Sequence, residues 1–105
     1  MENNNTKNTI KKINLYNQKL NELPELTEYT TIETLICSKN FLTKLDNLAN
    51  TITTLDCESN NIDQLDNLPN NLHTLMCSYN NLYFFLQHYH LQLYPKKNNL
   101  PQRLV

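Results

Sequence analysis

Cys37, Cys57 and Cys77 recur at a spacing of 20 residues, and their thiols are the first groups in this chain that could do chemistry. A thiolate can attack an electrophile or ligate a soft metal, given a base or further ligands beside it. Placed one per repeat on neighbouring strands, the sulfurs would stand about 5 Å apart in a row. That is too far to share one zinc at about 2.3 Å per bond. The chain has no Cys-x-x-Cys pair, and each cysteine sits at an apolar position of the pattern described below. Cysteine in such places behaves as a small buried hydrophobe. We expect core packing, with no catalytic residue, no metal site and no cofactor. His88 and His90 have the i, i+2 spacing of one strand face, but no cysteine or acidic support accompanies them, and with His73 they read as surface histidines. Glu22, Glu25 and Glu28, spaced by three, fall in a turn-rich segment and read as solvated charge.

Charge and composition exclude further chemistry. Nine Lys+Arg face ten Asp+Glu for a net charge of −1, which does not favour nucleic acid or an anionic membrane as partner. Glycine is absent, so no Gly-rich phosphate loop can form. No stretch approaches the 18 or so apolar residues of a membrane-spanning helix, and the polar start, Met1 to Thr9, has no apolar signal core. Together with an odd number of apolar-site cysteines, this gives an expectation of a reducing, cytoplasmic location.

What positions these residues is a repeat. Of 105 residues, 19 are Leu and 19 are Asn. Residues 31–50, 51–70 and 71–90 superimpose without a gap at a period of 20. Ile32, Leu35, Cys37, Asn40, Leu42, Leu45 and Leu48 correspond to Ile52, Leu55, Cys57, Asn60, Ile62, Leu65 and Leu68. Leu72, Leu75, Cys77, Asn80, Leu82 and Phe85 follow, with His88 breaking the last position. An earlier copy runs through Ile10, Ile13, Leu15, Gln18, Leu20, Leu23 and Leu26, with two extra residues within 27–31. A degenerate fifth copy carries Leu93, Asn98 and Leu100. The units are 10–31, 32–51, 52–71, 72–89 and 90–104, after a disordered polar tail at 1–9. Within each unit the alternation of Thr34-Leu35-Ile36-Cys37-Ser38 predicts a short strand with Leu35 and Cys37 on one side. Such a strand can bury its apolar side only against copies of itself. The return from Leu42 to Leu48 is too short for a full helix, and Asp46-Asn47, Asp66-Asn67, Pro24 and Pro69 predict tight turns. Asn40, Asn60 and Asn80 stand where each strand ends, as amides that could satisfy the backbone of a turn. Pro95 would remove a donor at a sheet edge, and Leu82, Phe85, Leu86, Tyr89 and Leu93 also fit a helical cap over 83–93; the register favours the fifth repeat.

The unit pattern L-x-x-L-x-(L/C)-x-x-N-x-L resembles the leucine-rich repeat, and the short period with its Leu-Pro-Asn-Asn-Leu junction at 68–72 resembles the 20-residue subclass found in bacterial type III secreted effectors and large DNA viruses. The resemblance implies a short α/β-type or mostly β solenoid, with parallel strands on the concave face and irregular coil and turns on the convex face. It implies a non-enzymatic module binding a protein or peptide through the concave strands, located in the cytoplasm or, for an effector or viral protein, the host cytosol. The ligase activity of some effectors is not carried over. The outward strand positions then supply the candidate protein-binding residues Tyr16, Ile36, Lys39, Asp56, Glu58, Met76, Tyr79 and Tyr94. Aromatic, Met and adaptable polar side chains suit an interface. The alternative is a structural repeat element that self-assembles by stacking through its sheet ends; the oligomeric expectation is a monomer or weak self-association.

Overall fold

The computed structural model of this protein describes residues 7–82. Its elements there are four short strands, β1 (Lys12–Asn14), β2 (Thr34–Ile36), β3 (Thr54–Asp56) and β4 (Thr74–Met76). They form one open sheet in the order β1-β2-β3-β4, every neighbour parallel. Register follows the repeat: Ile13 pairs with Leu35, Leu35 with Leu55, and Leu55 with Leu75. The offset of 22 between the first two strands and 20 thereafter places the extra residues between β1 and β2. There Tyr29 N donates to Leu26 O at 3.1 Å and Tyr29 is half-buried against the core. The fifth repeat, the 83–93 cap, Pro95, His88 and His90 lie outside the described residues.

In β2, β3 and β4 one Leu points inward between two partly covered neighbours, whereas β1 centres on the half-buried Ile13 between exposed Lys12 and Asn14. Pairing nevertheless runs past the strands. Cys37 N donates to Asp56 O at 2.7 Å and Cys57 N to Met76 O at 2.8 Å; Lys39 N reaches Glu58 O at 2.9 Å and Ser59 N reaches Ser78 O at 3.0 Å. Equivalent apolar positions form files through the stack. Leu35, Leu55 and Leu75 are fully buried, as are Ile32 with Ile52 and Leu42 with Ile62. Each such side chain contributes about 1.5–3 kcal/mol on leaving water. In the first unit Ile13, Leu15, Leu20 and Leu23 are covered on one side only and stay half-buried.

Side-chain amides close the turns. The Asn60 Nδ2 group donates to Cys37 O at 3.0 Å, Cys57 O at 3.1 Å and Glu58 O at 3.2 Å, while its Oδ1 accepts from Leu42 N at 2.9 Å. Asn80 repeats this with Cys57 O, Cys77 O, Ser78 O and Ile62 N. Asn40 does the same with Leu15 O, Cys37 O and Ser38 O, and accepts from both Gln18 N and Leu20 N. Every one of these amides holds its own unit and the unit before it. Gln18, the terminal counterpart by sequence, is exposed and takes part through its backbone. No buried side-chain nitrogen or oxygen among the described residues lacks a partner.

The backbone turns without glycine. Asn17, Lys39, Ser59 and Tyr79, one per unit just after the strand, have φ of 56°, 58°, 58° and 61°. Asn47 and Asn67, in the turns flagged by Asp-Asn, have φ of 60° and 58°. Asparagine tolerates this left-handed region; Lys, Ser and Tyr enter it against a steric penalty.

Candidate functional site

Cys37, Cys57 and Cys77 form a buried file, with relative exposures of 0%, 0% and 1%. All three are free thiols. Burial, with a smaller contribution from Asp56, pushes the Cys37 thiol up to about 12, and burial with Glu58 does the same to Cys77. Cys57 is raised well above its ordinary 9.0 by burial first, then by the neighbouring thiols and the two carboxylates. Groups held this firmly as thiols are poor nucleophiles and poor ligands. Among the described residues no cluster of three His, Cys, Asp or Glu side chains could hold a metal ion.

The opposite side of the sheet is where polar side chains converge. Asn14, Ile36, Asp56 and Met76 lie in one row across it, in register through the strand pairs. Above the first three of these positions is a groove of about 340 Å³, lined by Asn14, Tyr16, Ile36, Ser38, Lys39, Asp56, Glu58 and Ser59. Its volume is at the small end of the range of about 300–1,000 Å³ for ligand pockets. It has room for one or two side chains. Five of the residues singled out by sequence (Tyr16, Ile36, Lys39, Asp56 and Glu58) therefore meet in one place, drawn from three units. Met76 is half-buried next to Asp56 in register, outside the groove. Tyr79 stands at 65% exposure beyond it. Tyr94 lies outside the described residues.

Two local devices shape the groove. Asp56 Oδ1 accepts from the Glu58 N–H at 3.1 Å, and Asn14 Oδ1 accepts from the Tyr16 N–H at 3.0 Å, so the same side-chain-to-backbone contact recurs two units apart. The Lys39 ammonium lies over the Tyr16 ring, 5.9 Å from its centroid. Partial burial, reinforced by the Asp56 carboxylate, raises the Glu58 carboxyl above its ordinary value. Among the described residues the ion pairs are Lys7–Glu28, Lys11–Glu33 and Lys44–Asp46, and none reaches Asp56 or Glu58.

Elsewhere, Asp46, Asp63 and Asp66 border a cleft of about 270 Å³ with Lys44, on the coil side of the units. Lys7 pairs with Glu28 and covers the Tyr29 ring at 5.6 Å, while the Thr30 hydroxyl donates to Asn8 Oδ1. Phe41 is 53% exposed and was not singled out by the sequence reading. The signal for it was available: Phe41 stands where the other units have Asn61 and Asn81. No helix among the described residues is long and apolar enough to cross a membrane. No family model, no curated protein and no solved structure matches this chain.

Proposed function

We propose that this chain is a non-enzymatic, leucine-rich-repeat-like solenoid that binds a protein or peptide through the exposed, concave side of its strands. The observation that carries the reading is the groove, where Tyr16, Ile36, Lys39, Asp56 and Glu58 from three successive units converge on one sheet face. An aromatic wall, an apolar floor and separated charges are the ingredients of a recognition surface. The thiols, the groups most capable of catalysis, are locked in the core as neutral species. The near balance of charge argues for a protein rather than a nucleic acid or a membrane. The buried free thiols suit a reducing compartment, here the cytoplasm. Four strands about 4.8 Å apart give a face some 15 Å across, enough for a peptide or one edge of a domain, with affinity in the micromolar range.

Selection of peptides from a displayed random library tests this. Binders should perturb backbone amides of β2 and β3 in NMR spectra, and should be lost with Asp56→Lys/Tyr16→Ala. A library that yields no binder, or binders that perturb only the coil side, removes the proposal.

The second reading, self-assembly through the sheet ends, is supported by the half-buried Ile13, Leu15, Leu20 and Leu23 beside β1. Open strand edges invite pairing with other chains. Light scattering over a concentration series decides it: a mass that stays at one chain removes assembly.

A further inference from the structure

We propose that the groove between Tyr16 and Glu58 seats an extended basic peptide, whose arginine or lysine sets its cation against the Asp56 and Glu58 carboxylates and its aliphatic stem along Ile36. This rests on the protein-binding reading above and adds the partner's chemistry. Asp56 ends β3 and Glu58 follows two residues later, where pairing with the neighbouring units continues, and both line the groove with Ile36. The one cation lining the groove, Lys39, lies over the Tyr16 ring instead of pairing with them. Two half-buried carboxylates thus stand side by side without a counter-ion among the described residues. Partial burial first, and the Asp56 carboxylate second, raise the proton affinity of Glu58. A partner's cation relieves that repulsion, whereas a partner's anion adds to it. A charged side chain with a long apolar stem matches a groove with an apolar floor and an acidic end.

The test is fluorescence anisotropy with the full chain and a labelled, end-capped peptide, Thr-Val-Arg-Val-Arg-Thr, alongside versions carrying citrulline or glutamate in place of arginine. We expect saturable binding of the arginine peptide, weaker by about fivefold or more for the citrulline version and undetectable for the glutamate version. Raising salt from about 50 to about 500 mM should weaken the arginine peptide most. Asp56→Asn/Glu58→Gln should remove the arginine preference; Asn at position 56 retains an Oδ1 for the Glu58 N–H, so the turn and the circular dichroism spectrum should be preserved. Asp63→Asn/Asp66→Asn, on the coil side, should leave binding unchanged. Equal binding of all three peptides would overturn the basic preference while the protein-binding reading stands. Equal losses from the coil-side variant would reduce the effect to net charge and overturn the site. If an unlabelled peptide of residues 94–105 of this chain displaces the arginine peptide and binds more tightly than it, the groove belongs to a second copy and the proposal falls.

Discussion

One asparagine side chain ties each strand exit to the unit before it. Asn60 bridges four backbone groups at 2.9–3.2 Å, two of them in the preceding unit. Asn60→Ala leaves Leu42 N without its acceptor, while Cys37 O, Cys57 O and Glu58 O each keep a second donor in Asn40, Asn80 and Lys39 N, so a loss of about 1–3 kcal/mol is expected. Asn61→Ala, on the exposed neighbour, should change stability by no more than about 0.5 kcal/mol. Urea denaturation of the two variants checks the contrast, and equal midpoints would contradict the ladder. The cysteines set a pH limit. In the folded state Cys37 and Cys77 keep their protons up to about 12, against an ordinary 9.0. Above that ordinary value the unfolded chain loses protons that the folded chain retains, so the stabilisation present at neutral pH is lost as pH rises from 9 towards 12. Thermal midpoints should fall across that window, and alkylation by iodoacetamide should track unfolding rather than precede it. A thiol alkylated rapidly in the folded protein at neutral pH would contradict this.

At the level of the strand and its exit turn, Leu35, Leu55 and Leu75, the amides and the cysteines were all legible in the sequence, because strict alternation and a fixed period leave one side of each strand no choice. The turns at Asp46-Asn47 and Asp66-Asn67 were legible as turns for the same reason, since Asn readily takes the left-handed conformation found there. The left-handed exits at Lys39, Ser59 and Tyr79 were not legible, since none of these side chains favours that conformation and the stack imposes it. Nor was the groove itself: the sequence offered Asp56 and Lys39 as outward positions of one face, but not that Lys39 would turn to Tyr16 and leave the carboxylates without a cation among the described residues. The exit turn makes its own prediction. Ser59→Asn should raise stability by about 0.5–1 kcal/mol by easing the steric cost of φ near 58°, whereas the β-branched Ser59→Val should lower it by a similar or larger amount. Denaturant midpoints moving in the same direction for both would show that the exit conformation is not the source of strain.

At the scale of the whole molecule, each described strand pairs with the strands of the units next to it in sequence. Stability should then be the sum of unit and interface terms. Deleting residues 41–60 joins Asn40 to Asn61 and restores the pattern Asn-Asn-Ile seen after Glu58-Ser59, so the shortened chain should fold cooperatively with a lower melting temperature. Deleting 41–62 removes the same strand together with the fully buried Ile62, and that variant should bind hydrophobic dye and melt without cooperativity. Identical melting curves for the two deletions would show that period is not what holds the array together. The amides also give the stack a direction in time. Asn40, Asn60 and Asn80 each reach only their own unit and the one preceding it. A nascent chain leaves the ribosome from its amino end, so every newly released asparagine meets carbonyls that have already emerged, and ordering can advance rung by rung while synthesis continues.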